Sequence, residues 1–449
     1  IKVKRLRVPD LLCVNCGLRV ESRAKSYLKL SMSHTPGTPE RHWDNGLRDD
    51  DLVAFVACRP DPDADLQWRA SSHVNLFRVG DLRRTFDLAE QDDAKSRQEG
   101  SEIEVEWPAY VPGVSGRVVD VVDGEIVLHL DSGRKRTYSI KGKPTKWYIH
   151  VRPGTRIEAG EVIAASVVPD VGSCHCPDAR YDFVSDLLSD STNRASVYAA
   201  IKALGHLDYR TEAVVQRLIQ IMDAHPDRLV SLEAAGTLAR LGNERGWQRL
   251  ANTACNHEAP DDVRMEAVLI LRELGGRQAE DILSEVAQDT ENPAELRAAA
   301  VWCLGDISQD PVRAVCRWTY DGETVVAVHA ITVCVRALSE RNLATVFSLL
   351  GPDSRRSAAA TRIILDAEND LIPHVLIHLR DSSDPSVRDW LTYLLGLAGR
   401  PRVAPYVHQV ADLPASDKSR VEFMWSCYQE DWTRADDVQL QLKFLRSQR

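Results

Sequence analysis

No stretch of this sequence stays apolar long enough to cross a membrane. No charged-then-apolar secretory pattern stands at its start either. These two absences predict a cytoplasmic protein with no membrane partner. The chain also lacks a Walker A loop, a GxSxG elbow, an HExxH helix and a Rossmann glycine set. That argues against a nucleotide hydrolase, a serine hydrolase and a zincin. A general excess of positive charge is missing too: the net charge is −10 over 449 residues, which does not mark a general nucleic-acid binder.

The positive charge that is present is gathered at one end. Residues 1–30 hold Lys2, Lys4, Arg5, Arg7, Arg19, Arg23, Lys25 and Lys29 against only Asp10 and Glu21. A basic end on an acidic chain is consistent with a phosphate-facing surface, and equally with a solvated edge strand.

Ten cysteines divide into two kinds. Cys255, Cys303, Cys316, Cys334 and Cys427 lie in Ala/Leu/Val-rich helical surroundings and read as buried thiols. Cys13 and Cys16 form a CxxC followed by Gly17, and Cys174 and Cys176 form a CxC. Two thiolates from one tight turn can reach one Zn²⁺, and a second pair completes a tetrahedron. The expectation is a structural zinc, or iron, held by Cys13, Cys16, Cys174 and Cys176. His175 is an alternative to one of these thiolates, and Cys58 is the fallback.

Three regimes of composition follow one another. Residues 1–100 read as β-rich, with "RVESRAKSYLKLSM" alternating so that Val20, Ser22, Ala24, Ser26, Leu28, Leu30 and Met32 share one face. "DLVAFVAC" and "HVNLFRVGDL" read as further strands, and "LRRTFDLAEQDDAKSRQEGSE" as a short helix and a polar linker. Residues 101–177 are strand and turn, with a hairpin at Asp123-Gly124. Their Gly/Val spacing in "IHVRPGTRIEAGEVIAASVV" resembles the barrel-sandwich hybrid of lipoyl-type domains. Lys141, Lys143 and Lys146 are near but lack the Asp-Lys setting of that family, so the module is read as structural or docking. Residues 178–449 repeat: "RLVSLEAAGTLARLGN", "DDVRMEAVLILRELGG", "AELRAAAVWCLGDIS" and "PSVRDWLTYLLGLAG" align, at a period of about 30 to 40 residues. This pattern resembles short HEAT-like repeats. The resemblance implies an all-α solenoid that offers a surface to a protein partner. The expected fold class is therefore multidomain α+β.

"VPDLLCVNCGLRVESRAKS" at 8–26 carries a further resemblance. Pro9-Asp10, then Glu21 with Arg23 and Lys25 on one face of a strand, resembles the PD-(D/E)xK nuclease superfamily with a zinc knuckle inserted between its catalytic strands. The family expects lysine two residues after the acid; here that place is Arg23 and the lysine comes two later. The resemblance implies that Asp10 and Glu21 hold Mg²⁺ or Mn²⁺, which activates a water. Lys25 or Arg23 would stabilise charge on phosphorus. Asp44 or Asp51 would supply a third acid. Trp43 reads as a loop anchor or a base-stacking ring. His34 and His42 flank that loop as possible ligands or acids. Two functions follow. One is a metal-dependent DNA endonuclease or nuclease-like DNA-binding subunit, by analogy part of a bacterial restriction or antiphage system. The other is a non-enzymatic, zinc-stabilised scaffold whose helical repeats bind a protein partner.

Overall fold

The computed structural model describes residues 10–26, 29–35, 42–61, 68–92, 103–140, 147–170, 181–188, 194–406, 408–409 and 412–427. The chain divides into two compact units, Arg5–Thr237 and Leu238–Arg449.

The first unit opens with β1 (Leu11–Leu12), β2 (Arg19–Lys25), β3 (Leu30–His34), β4 (Leu52–Pro60), β5 (Trp68–Ala70) and β6 (Asn75–Arg78). Next come the helix α1 (Val79–Arg84), β7 (Glu90–Asp92), β8 (Ile103–Trp107) and β9 (Ala109–Tyr110). Then follow β10 (Gly116–Val122), β11 (Glu125–Leu130), β12 (Lys135–Ser139), β13 (Tyr148–Ile149), β14 (Arg156–Ile157), β15 (Ala164–Ala165) and β16 (Pro169–Asp170). One sheet runs β1-β2-β4-β6-β16 with β5 on β4; smaller sheets run β3-β8-β7, β12-β11-β10-β14 and β13-β15-β9. β2 and β4 are parallel, Val20 opposite Leu52 and Lys25 opposite Ala57.

The long alternating run is not one strand. It breaks between β2 and β3, which belong to different sheets. Its phase on β2 is also the reverse of the expected one. Ser22, Ala24 and Ser26 are exposed, while Arg19 is only 2% exposed. The cause is a partner far away in sequence: Arg19 Nε donates to Asp51 Oδ1 at 2.8 Å, and Nη2 bonds the other carboxylate oxygen. A guanidinium can enter a core only with such a counter-ion. β3 keeps the expected phase, with Leu30 and Met32 buried among Trp43, Phe77, Val105 and Trp107. Leu28 lies outside the described residues.

The Asp123-Gly124 hairpin joins β10 to β11, and both turn residues have positive φ (48° and 77°), as a two-residue turn matched to the strand twist requires. The surrounding module has a core of its own built on Val118, Ile126, Leu128, Ile157 and Ile163. Lys141, Lys143 and Lys146 lie outside the described residues. The expected helix around Leu82 begins earlier, at Val79, and β7 follows where a linker is expected.

The rest of the first unit is helical: Phe183–Leu188, Arg194–His206, Glu212–Ala224 and Arg228–Arg240, the last crossing the division between the units. The second unit is a helical stack. Among its helices are Glu244–Cys255, Asp261–Leu274, Gly276–Gln288, Ala294–Ile307, Thr324–Ala337, Ser354–Asp366, Ile372–Asp381 and Pro385–Val403. Helix starts are set by Asn243, Asp310, Asp353 and Asp384, whose side chains accept the first free N–H groups.

The aligned repeats share a clip. Arg264 Nε donates to the carbonyl of Ala254 at 3.1 Å, and Arg297 Nε to that of Ala287 at 3.0 Å. Arg388 Nη1 reaches the carbonyls of Leu379 and Ser382, each at 2.7 Å. Each guanidinium thus closes the C-terminal end of the preceding helix, where carbonyls lack intrahelical partners. Each then grips a later turn through Asn292, Asp321 or Asp417 respectively. All three arginines are the fourth residue of their quoted segment. This is a signal the sequence carried, although the hydrophobic periodicity alone does not reveal it.

Candidate functional site

The CxxC turn lies between β1 and β2. Gly17 N–H donates to the Cys13 carbonyl and Cys13 N–H to the Leu18 carbonyl, both at 2.8 Å. Gly17 has φ +70°, and a Cβ there would stand 2.6 Å from the ring of Tyr181. Only glycine satisfies both conditions. Tyr181 N–H also donates to the Asn15 carbonyl at 2.7 Å. The chain therefore returns onto the knuckle at residue 181, five residues after Cys176. Cys174, His175 and Cys176 lie outside the described residues. Two thiols on a tight turn that curls at a glycine suit a tetrahedral thiophilic ion. Cys58 does not complete such a set. It follows Ala57, which pairs with Lys25 at the far end of β2. At the rise of a strand that is about 20 Å from the knuckle.

The nuclease-like residues separate into two groups. Ser22 N–H donates to Asp10 Oδ2 at 2.7 Å. With Leu11 opposite Val20, Asp10 and Glu21 become neighbours across the hairpin. Glu21, however, is bonded by Arg23 of its own strand. Lys25 is drawn away to β8, with Nζ 3.5 Å from Glu104 Oε1. Glu104 also takes the Ser31 hydroxyl. Burial alone would raise the Glu104 carboxyl, but the Ser31 bond and the Lys25 and Lys29 charges outweigh it and hold it below the ordinary value.

The expected third acids are structural. Asp51 is fully buried and accepts from Arg19, from Arg48 N–H at 2.6 Å and from Arg48 Nε at 3.3 Å. Asp44 is bound by Arg83 Nε at 2.8 Å. Arg83 also donates to the carbonyl of Leu47 at 3.0 Å and pairs with Asp49. These two arginines tie the 42–51 loop to β2 and α1, where a metal would need free carboxylates. Trp43 is an anchor: it is buried edge-on against Trp107 with centroids 5.1 Å apart. His34 and His42 do meet, with rings 4.5 Å apart. Burial, then the His42 charge, lowers the His34 pKa, against the opposing pull of Asp44.

A cluster that the sequence reading missed lies in the second unit. His257, Asp289 and Glu291 hold their ligand atoms within 4.8 Å of one another, and His257 Nε2 is 2.9 Å from Asp289 Oδ2. They sit on turns 32 residues apart, so only the repeat register brings them together.

No family model and no curated protein matches the chain. Among solved structures it is similar to human deoxyhypusine hydroxylase in complex with glycerol, at 16% identity over 55% of this chain and 95% of that one, with a TM-score of 0.23. The complex of CpcE and CpcF of phycocyanin lyase from Nostoc sp. PCC7120 matches at 19% identity over 60% and 93%, TM-score 0.23. An engineered protein matches at 15% identity over 59% and 77%, TM-score 0.28. Likeness at these scores supports no conclusion about this chain. No helix among the described residues is long and apolar enough to cross a membrane.

Proposed function

We propose that this protein is a non-enzymatic scaffold. Its HEAT-like helical stack holds a protein partner, and a structural zinc at Cys13, Cys16, Cys174 and Cys176 secures its β-rich part. The observation that carries this reading is the internal consumption of charge on the nuclease-like face. Glu21 is bonded by Arg23, Lys25 by Glu104, Asp44 by Arg83 and Asp51 by Arg19. A metal-dependent nuclease needs free acids and a free lysine at one open point. What supports the zinc set is that the described chain resumes against the knuckle at Tyr181, whose N–H donates to the Asn15 carbonyl.

A second reading is a Mg²⁺- or Mn²⁺-dependent DNA nuclease, or an inactive nuclease fold that binds DNA, in a restriction or antiphage setting. One observation favours it: Asp10 and Glu21 are cross-strand neighbours. Incubation with labelled duplex and single-stranded DNA, with Mg²⁺, Mn²⁺ or chelator, decides between the two. The scaffold reading expects no cleavage, together with stoichiometric zinc that is lost in Cys13→Ser. Metal-dependent cleavage that disappears in Glu21→Ala/Lys25→Ala overturns it.

A further inference from the structure

Between the arm formed by β4 and β5 and the module that follows lies a cavity of about 430 Å³, within the size range of small-ligand sites. Much of its wall is made of small residues, among them Ala57, Ala70, Gly113 and Ala159, so the space is not filled from within. The wall is also braced. Ser71 Oγ donates to the Ala159 carbonyl at 3.1 Å, and Ser115 Oγ accepts the Ala159 N–H at 3.0 Å. Ser72 donates its hydroxyl to Glu158. The cavity is thus held open by hydrogen bonds across two β modules of one unit.

Its charges are arranged unequally. Arg59 and Arg69 stand directly opposite each other in the β4–β5 ladder, both lining the cavity. Like charges at directly opposed positions weaken a strand pair, and neither arginine is needed to close the core. Asp61 takes Arg69 at 2.6 Å; no carboxylate among the described residues pairs with Arg59. Glu158 lines the same cavity. The site therefore offers the guanidinium of Arg59, the arms of Arg69 left beside its bond to Asp61, and the Glu158 carboxylate, which already accepts from Ser72. Guanidinium pairs match phosphoryl oxygens, and a carboxylate accepts from sugar hydroxyls or base amino groups.

We propose that this cavity binds a nucleotide, its phosphate held by Arg59 and Arg69 and its sugar or base donors turned to Glu158. The same chemistry is presented by a free mononucleotide and by the 5′-phosphorylated end of a strand. The site is separate from Asp10 and Glu21 and depends on neither functional reading above.

The test uses the full chain. Titration calorimetry is run with the four ribonucleoside monophosphates, adenosine, inorganic phosphate, and short single strands with and without a 5′-phosphate. Cys58, which lines the cavity, is an independent reporter: its alkylation, read by peptide mass spectrometry, slows when the cavity is filled. The expected result is binding that requires the phosphate, protects Cys58, and weakens at least about tenfold in Arg59→Ala and in Arg69→Ala, as loss of a charge-assisted bond predicts. Binding confined to 5′-phosphorylated strands supports the assignment and identifies the source as a strand end. Absence of binding by every nucleotide and phosphorylated strand overturns it. So does adenosine or inorganic phosphate binding as tightly as the nucleotide, or affinity unchanged in both arginine variants. Ser115→Trp fills the cavity; if it folds and still binds, the location is wrong, and if it does not fold, the exposed arginine variants decide.

Discussion

Asp51→Ala is the sharpest test of whether the acids of the 42–51 loop serve the fold or a reaction. Asp51 is fully buried and neutralises Arg19, itself 2% exposed. Removing the carboxylate strands a guanidinium in the core, and also orphans the Arg48 N–H that donates to it at 2.6 Å. Breaking one partner of a buried pair costs about 3–5 kcal/mol. For a unit of this size that lowers the melting temperature by about 6–20 °C. Urea unfolding followed by amide hydrogen exchange of the β2 and β4 segments reports the right region. A comparison set separates the roles: Asp10→Ala and Glu21→Ala, at partly exposed positions, are expected to shift stability by no more than about 1 kcal/mol. Replacing both partners, Arg19→Met with Asp51→Leu, is expected to recover most of the loss, because an apolar pair of similar volume needs no desolvation of charge. An Asp51→Ala protein within about 0.5 kcal/mol of the wild type would refute the argument and return Asp51 to the candidate catalytic acids.

Further outcomes follow from other packed groups. Burial pushes the His150 imidazole down to about 4, with the backbone acceptors of Val167 and Val162 pulling the other way. The folded state therefore binds this proton less readily than the unfolded one. The associated stability, about 3 kcal/mol, is complete above the ordinary value near 6.5 and is lost as pH falls toward 4. Unfolding measured across that window should lose this part of its pH dependence in His150→Leu. The depressed Glu104 carboxyl adds a stabilising contribution that is present above the ordinary carboxylate range and lost as pH falls through the folded value; Glu104→Gln is expected to remove that acid-side slope. Arg297→Ala should destabilise the second unit by about 3–5 kcal/mol, since it takes the counter-ion from Asp321, leaving it only the Glu323 N–H, and removes the donor to the Ala287 carbonyl. Arg297→Lys should recover little, because one ammonium cannot reproduce both arms of the fork. Gly17→Ala should lower stability, measured by unfolding, through the Tyr181 clash; on the zinc reading proposed above it should also lower the metal content.

Features governed by local rules were legible in the sequence. The Asp123-Gly124 turn and the helical period both act within a few residues. The phase of β2 was not legible, because it depends on Asp51, 32 residues after Arg19. The fate of Lys25 was hidden for the same reason, since Glu104 is 79 residues away. A strand carrying Glu, Arg and Lys on one face is identical in sequence whether that face meets a substrate or its own counter-ions. Only the pairing of distant strands distinguishes the two cases. Cys13 and Cys16 stood out because their spacing is itself the geometry.

The arginine clips also imply a pattern of mechanical compliance. Guanidiniums rivet the joints 254–264, 287–297 and 379–388. At 349–357 the corresponding link is the Ser357 hydroxyl, reaching the carbonyls of Gly351 at 3.1 Å and Leu349 at 3.4 Å. A neutral hydroxyl contributes less than a charged fork. Of these four joints, the one at 349–357 is therefore expected to give first when the stack is bent.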